Sequence, residues 1–327
     1  MHTQNGLNIR PAAVTPGYHP TADTLMFSMP SRVDPFELRG RRYFVKRDDL
    51  IDPLFSGNKF RKLQALLDTP ASRYARVISW GGNQSNAMLS IAALCARKDW
   101  RFEYTTKTIP ARIREHPTGN LKQALALGMI LNEVKPKAYA TFVAEAGHID
   151  TDTDADTLVL AQGGADPLAR AGIEQLAAEI RQWQADAAIP QLHVVTPSGT
   201  GTTAAMLASA LPEVTVLTTP AVGDAAYLRE QIERLLPMPE NMRILETGQP
   251  FRFAAPAPEL LAIYHELLTA GIEFDLIYGA LMWHTLLQHA DTIDGEIFYV
   301  HSGGVTGNET MLDRYHHLGM SVHGESE

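Results

Sequence analysis

One lysine, Lys59, stands directly after Gly57-Asn58 in "FSGNKFRKL", just where a helical run begins. A lysine on a solvated helix face needs no glycine before it, whereas a lysine presented by a sharp backbone turn is placed to act as an amine. Three more stretches gather Gly, Ser, Thr and Asn where a strand gives way to a helix. "SWGGNQSNAML" has two glycines that let the backbone approach a ligand, then Asn83, Gln84, Ser85 and Asn86 at the helix start, where N–H donors lack partners. "HVVTPSGTGTTAAML" runs through Ser198, Gly199, Thr200, Gly201, Thr202 and Thr203, and "FYVHSGGVTG" closes a strand with Ser302 and two glycines. In "DLIYGALMW", Tyr278 sits at a helix start.

These stretches differ in how much chemistry they imply. At residues 198–203, backbone N–H groups, hydroxyls and a helix dipole converge, and a phosphate is the natural occupant. No Lys precedes the Ser/Thr pair, so this is not a nucleoside-triphosphate loop. Gly199, Gly201 and Ala204 fit a loose G-x-G-x-x-A, but the following strand, "VTVLTTP", ends without the acidic residue that would hold a ribose. Taken alone, the loop at 79–89 reads as a tight turn with Ser85 or Asn86 as N-cap. Ser302 reads equally as part of a glycine turn, and Tyr278 as a packing residue with a hydrogen-bonded tip. The histidines show no H-E-x-x-H and no ligand spacing with cysteine, and no G-x-S-x-G elbow occurs, so metal and serine-hydrolase chemistry are set aside. A phosphate cradle together with one turn-presented amine points to a phosphate-bearing aldehyde. Pyridoxal 5'-phosphate needs an amine to form an imine, an anion site, a platform for its ring and a partner for its pyridine nitrogen; the chain can supply all four.

Short β-rich runs ("RYFVKRDD", "ARVISW", "RFEYTTK", "MILNEVK", "TLVLAQ", "LHVVTP", "VTVLTTP", "EIFYVHS") alternate with helical ones along most of the chain. That alternation predicts α/β architecture with parallel sheets covered by helices, whose ligands lie beyond the carboxyl ends of the strands. The 327 residues, 45% hydrophobic and 20% charged, suffice for one large or two moderate domains. A net charge of -9 without a basic cluster argues against nucleic acid or anionic membrane as partner. The run Arg39-Gly40-Arg41-Arg42 is read as a solvated turn before a strand. The lone Cys95 lies in an apolar helical pattern and is expected to be buried, as suits a reducing cytosol. Neither a signal peptide nor a membrane span is apparent, so a cytoplasmic protein is expected, with an extended N-terminal arm and a frayed polar tail "SVHGESE".

"VKRDDL…FSGNKFRKL", "GGNQSNAM", "LAQGGADPLARAGIEQLAAEI", "TPSGTGTTAAM", "LIYGALMW" and "FYVHSGGVTG" occur in the order found in the 1-aminocyclopropane-1-carboxylate deaminase/D-cysteine desulfhydrase family. The resemblance spans roughly residues 30 to 315. It implies two parallel-sheet α/β domains like those of the tryptophan synthase β-subunit (fold type II of the pyridoxal-phosphate enzymes), with the cofactor in the cleft between them. The larger domain would comprise 1–64 and 161–327, the smaller 65–160. By resemblance Lys59 carries the cofactor as an imine and moves the substrate proton, flanked by Asn58 and by Lys62, which helps hold the phosphate. Ser85 lies near the substrate carboxylate, held around Asn83 to Asn86, and Asn86 bonds the cofactor's ring oxygen. Ser198 to Thr203 form the phosphate loop, Tyr278 packs on the ring and faces the substrate, and Ser302 bonds the pyridine nitrogen. A neutral hydroxyl leaves that nitrogen mostly unprotonated, which suits α,β-elimination from a small amino acid, D-cysteine first. A homodimer is expected by resemblance.

The chain departs from the family pattern in two places. Gly279, Ala280 and Leu281 stand where Thr or Glu and then Gly-Lys are usual, and "FRFAAPAPELL" lacks a second active-site tyrosine. Cyclopropane-ring chemistry is therefore the less favoured alternative. Two further readings stay open: a dinucleotide oxidoreductase resting on Gly199-x-Gly201, and a non-catalytic relative that binds pyridoxal phosphate or an amino acid.

Overall fold

A computed structural model describes residues 27–146, 155–164 and 167–320; the expected N-terminal arm and polar tail fall outside them. The chain divides into two compact units. The first holds Phe27 and Leu66–Gly164, the second Ser28–Ala65 and the residues from 167 on.

The second unit begins with a hairpin, β1 (Val33–Leu38) and β2 (Arg41–Lys46), followed by α1 (Gly57–Leu63). The first unit follows as β3 (Arg76–Trp80), α2 (Asn86–Lys98), β4 (Arg101–Lys107), α3 (Ala111–Glu115), α4 (Gly119–Ala126), β5 (Ile130–Val134), α5 (Pro136–Ala146) and β6 (Thr157–Val159). Its sheet has the order β5-β4-β3-β6, parallel throughout. The chain completes the second unit with α6 (Ala169–Asp186), β7 (Leu192–Val195), α7 (Thr202–Ala210), β8 (Thr215–Thr218), α8 (Ala225–Glu233) and β9 (Met242–Ile244). Then come α9 (Pro258–Thr269), α10 (Gly279–His289), β10 (Glu296–Val300) and α11 (Asn308–His317). Its six strands take the order β1-β2-β10-β7-β8-β9, with only β1 antiparallel to its neighbour.

Two parallel-sheet α/β units are the predicted fold class. The antiparallel β1 was not predicted. Its sequence, "VDPFEL", mixes charges and a proline with only Phe36 and Leu38 buried; proline is tolerated there because β1 is an edge strand. The turn joining it to β2 places Arg39 and Gly40 at φ of 51° and 74°, as a two-residue hairpin requires. The basic run forms an exposed turn before β2, as expected, and its arginines find partners on the surface. Arg39 pairs with Glu266 at 2.8 Å, Arg42 with Glu296 at 2.9 Å, and Arg41 donates to the carbonyls of Ala290, Ile293 and Gly295.

Alternation along the central strands of the second unit builds a core on each sheet face. Phe298 and Val300 pack with Val194, Val216 and the apolar sides of α6 and α7. Ile297 and Tyr299 pack with Val195, Leu217 and Trp283 of α10 on the other. Every second residue serves the same layer, so both faces are apolar and the strands read as continuous hydrophobic runs. Cys95 is buried in α2, as expected, and burial pushes its thiol well above the ordinary range. Among the described residues, no helix is long and apolar enough to cross a membrane.

Candidate active site

Pairing in the second unit brings four parallel strands to one edge of the sheet. Val300 stands opposite Lys46, Tyr299 opposite Val195, and Val195 opposite Leu217. The segments leaving β2, β10, β7 and β8 therefore emerge together, although they come from residues near 47, 301, 196 and 219. Loops at this edge have freedom to carry polar groups, since the strands below are fixed by the two cores.

Lys59 reaches the edge through Gly57. The glycine has φ +61°, and a Cβ there would lie 2.0 Å from the Ser302 carbonyl oxygen, so only glycine permits this approach. Asn58 N donates to that carbonyl at 3.2 Å, and Lys59 Nζ donates to Asn58 Oδ1 at 3.1 Å. Lys59 is half-buried. Burial lowers its pKa to about 8, while the Asp275 carboxylate works in the opposite direction. Lys62, one turn along α1, is buried; desolvation and the charge of Lys59 together push it well below the usual lysine range. Arg61 lies between the two lysines, and its charge is absorbed elsewhere. Its guanidinium meets Asp48 at 2.8 Å and Glu179 at 2.8 Å, and Lys46 meets Glu179 at 2.7 Å.

On the β10 side, His301 fixes the turn that carries Ser302. Gly303 N donates to His301 Nδ1 at 3.0 Å, so that nitrogen carries the lone pair and Nε2–H donates to the Glu273 carbonyl at 2.8 Å. The ring is stacked on Phe274 at 4.4 Å. Asp275 then organises the start of α10. Its carboxylate accepts from Tyr278 N at 2.7 Å, Gly279 N at 2.9 Å and Ile277 N at 3.2 Å. Burial nevertheless holds that carboxyl above the ordinary range, against the pull of these bonds. Tyr278 is thereby directed at the phosphate-type loop: a Cβ on Gly199 would lie 3.4 Å from its ring and 3.5 Å from its hydroxyl. At Gly279, a Cβ would meet Phe274 Cβ at 2.9 Å, so a larger residue would need this turn to shift.

Within residues 198–203 the hydroxyls are not equivalent. Ser198 is buried, and its Oγ is bonded to Thr218 Oγ1 at 2.7 Å; it extends the sheet rather than facing the loop. Thr200 and Thr202 bond each other at 2.9 Å. Gly201 caps α7 with φ +75°. Thr203, in the first turn of α7, is buried and its Oγ1 has no partner among the described residues. An unpartnered buried hydroxyl at the amino end of a nine-residue helix fits an anion such as a phosphate.

The first unit contains the other predicted cluster. Ser85 is the N-cap of α2; its Oγ accepts from Met88 N at 3.4 Å. Tyr104 donates to the Gly82 carbonyl at 3.1 Å and Thr106 to that of Gly81 at 2.8 Å. Burial raises the Tyr104 phenol well above its usual range, relieved in part by a hydrogen bond with Ser85. Gln84 donates through Nε2 to the Thr118 carbonyl at 3.2 Å. Asn86 Oδ1 accepts from Asn120 at 2.7 Å. Asn83 is half-buried in the turn. Thus Lys59, Asn58, Ser302, Tyr278 and the 198–203 loop belong to one strand edge, and Asn83 to Asn86 to the β3–α2 loop of the other unit.

Sequence comparisons give the relatives of this arrangement. No protein-family model matches the chain. It is 25% identical over 300 residues to a provisionally named 1-aminocyclopropane-1-carboxylate deaminase of Thermotoga maritima, covering 83% of this chain and 91% of that protein. It is 29% identical over 202 residues to a provisionally named mitochondrial D-cysteine desulfhydrase 2 of Oryza sativa, covering 53% of this chain and 49% of that one. The chain is a relative of these proteins. It is also 26% identical over 307 residues to nocardicin C-9' epimerase of Nocardia uniformis, covering 85% of this chain and 91% of the epimerase. The crystal structure of a 1-aminocyclopropane-1-carboxylate deaminase homologue superimposes with a TM-score of 0.69 at 21% identity, over 90% of this chain and 95% of that one; this establishes the shared fold.

Sequence reading passed over Asp275, His301, Arg61 and Asn120. Asp275 had a signal, being an acid three residues before Tyr278 at a helix start. His301 and Arg61 sit inside the quoted stretches with no pattern to separate them from packing residues. Asn120 had none, since its importance depends on where α4 lies beside the β3–α2 loop.

Proposed function

We propose that the protein is a pyridoxal 5'-phosphate-dependent lyase/deaminase acting on a small amino acid, with D-cysteine the leading candidate and a keto acid, ammonia and sulfide as products. One observation carries this reading: a turn-presented lysine with its pKa lowered to about 8 shares a strand edge with an anion-ready loop faced by a tyrosine. The donor set fits the cofactor. The α7 amides, the Thr203 hydroxyl and Lys62 would hold its phosphate, Tyr278 its ring and Ser302 its pyridine nitrogen, and the family resemblance assigns its ring oxygen to Asn86. When bound, pyridoxal phosphate supplies an electron sink that weakens the bonds to the substrate α-carbon.

Each residue then has a defined task. With its pKa near 8, Lys59 Nζ can lose its proton close to neutrality, act as a nucleophile and later hold the substrate α-proton. Ser302 offers a neutral partner rather than a carboxylate, which favours prompt departure of a leaving group over a long-lived carbanion. By the same resemblance the substrate carboxylate is held by helix-start amides and hydroxyls around Asn83 to Asn86. The buried Cys95 suits a reducing cytoplasm, and a homodimer is proposed on the resemblance, with sedimentation to test it.

A second reading, epimerisation of an amino-acid centre, is favoured by the likeness to nocardicin C-9' epimerase and by the changed stretch Gly279 to Leu281. Purified protein loaded with pyridoxal phosphate separates the two. Sulfide and pyruvate from D-cysteine, abolished by Lys59→Ala, support elimination; deuterium wash-in at the α-carbon without ammonia release supports epimerisation. Cofactor binding without either outcome, over panels of D- and L-amino acids, would leave a binding protein. Absence of a Lys59-dependent visible absorbance band would end the cofactor reading.

A further inference from the structure

We propose that Asn120 is a positioning residue that fixes Asn86 as a hydrogen-bond donor toward a ligand oxygen. The inference rests on the reading above, in which that oxygen belongs to the cofactor ring.

The Gln84 carbonyl oxygen is backbone and can only accept. Asn120 faces it at 3.0 Å, so the end of the Asn120 amide at that point must be Nδ2. The same Nδ2 lies 2.7 Å from the Asn86 side chain. A donor requires an acceptor opposite it, so the Asn86 atom turned toward Asn120 is Oδ1. Asn86 Nδ2 therefore occupies the other end of its amide plane, and Asn86 is half-buried at the first position of α2. The amide orientation of Asn86, otherwise a matter of two nearly equal rotamers, is set by its buried neighbour.

Asn120 is itself held. It is fully buried at the second position of α4, directly after Gly119. Gln84 Nε2 adds a second tie from the loop to this helix start through the Thr118 carbonyl at 3.2 Å. Both protons of the Asn120 amide are committed to the loop, and neither to α4. An asparagine kept at such a helix start, with both donors spent on another segment, acts on that segment.

The test is a double-mutant cycle with pyridoxal phosphate as the probe. In Asn120→Asp the carboxylate accepts only, so Asn86 turns its amide to donate inward and presents Oδ1 outward. Pyridoxal-phosphate binding should weaken on the order of 10- to 100-fold, the worth of one hydrogen bond to a charged oxygen, and the visible band should fall relative to the near-ultraviolet one. In an Asn86→Ala background the same substitution should change affinity less than about 3-fold, because the two residues act in series. Wild-type affinity in Asn120→Asp, or fully additive losses in the double variant, would overturn the proposal. Should Asn120→Asp not fold, Asn120→Ala removes the donors without adding charge and enters the same cycle. If wild-type protein forms no Lys59-dependent band, the functional reading fails by itself, and the proposal is decided on cofactor-free protein. There the Asn86 Nδ2 protons should exchange freely in the wild type and be protected in Asn120→Asp by nuclear magnetic resonance; equal protection in both would refute it.

Discussion

The β7–α7 loop and the β3–α2 loop look alike in sequence, each a strand ending in glycines and then small polar residues before a helix. Their hydrogen bonding differs. In β3–α2, Ser85 caps its own helix, Gln84 is tied to Thr118, and Asn86 Oδ1 is taken by Asn120. In β7–α7, Thr203 keeps a buried hydroxyl without a partner among the described residues, and the bare Gly199 lies beside the Tyr278 ring. The first loop spends its side-chain donors and the Ser85 hydroxyl on its own shape, leaving Gln84 Oε1 unpaired among the described residues, and offers backbone amides with one oriented amide. The second bonds Ser198, Thr200 and Thr202 internally but leaves the Thr203 hydroxyl unpaired among the described residues, as suits a group that a charged ligand is to meet. Composition is a poor guide to which kind of loop a glycine-rich junction will become.

This contrast can be broken experimentally, and the largest effect is expected where the lysine is presented. Gly57→Ala places a Cβ 2.0 Å from the Ser302 carbonyl in a left-handed backbone. It should cost about 3 kcal/mol or more of unfolding free energy, read by denaturant melts, and should abolish trapping of pyridoxal phosphate on Lys59. Unchanged stability would mean that the β10 loop yields easily. Next is the titration of Lys59 in cofactor-free protein. Reductive labelling followed by mass spectrometry should show its reactivity rising about tenfold per pH unit and levelling above about 8. Exposed lysines continue to rise past that point. Asp275→Asn should move the plateau to lower pH, because the removed anion is the one that favours the protonated amine; a plateau at the ordinary lysine value would contradict the burial assigned here.

The two loops should then answer a hydroxyl deletion with opposite signs. Thr203→Val removes an unsatisfied buried group, so the cofactor-free protein should gain about 1 kcal/mol while pyridoxal-phosphate affinity drops roughly tenfold. Ser85→Ala removes a cap already in use and should lower stability by about 1 kcal/mol, with little change in cofactor affinity. Matching signs in the two variants would remove the distinction between them.

Most of the element pattern was legible. The apolar strands β3, β7, β8 and β10 and the periodic helices α2, α6 and α9 carry their period openly, because each buries a continuous face. Edge elements were harder to read. β1 hides behind Asp34, Pro35 and Glu37, and only Ala146 of α5 is buried, so no strong periodicity marks either. Among site residues, Lys59 was visible through Gly57, since a glycine demanded by φ leaves a trace in the sequence. The diversion of Ser198 to Thr218 left none, because it depends on how β7 lies against β8.

The sequence by itself determined the α/β class, the residues able to hold an anion and an aldehyde, and the one lysine set after a turn. These follow from local rules: hydrophobic period, helix starts and backbone freedom are properties of neighbouring residues. Tertiary structure alone decided which hydroxyl stays free, which amide end Asn86 presents and how far the Lys59 pKa falls. Each of those depends on groups far along the chain, Thr218, Asn120 and Asp275, and hydrogen bonds and desolvation act through space at distances that sequence separation does not encode.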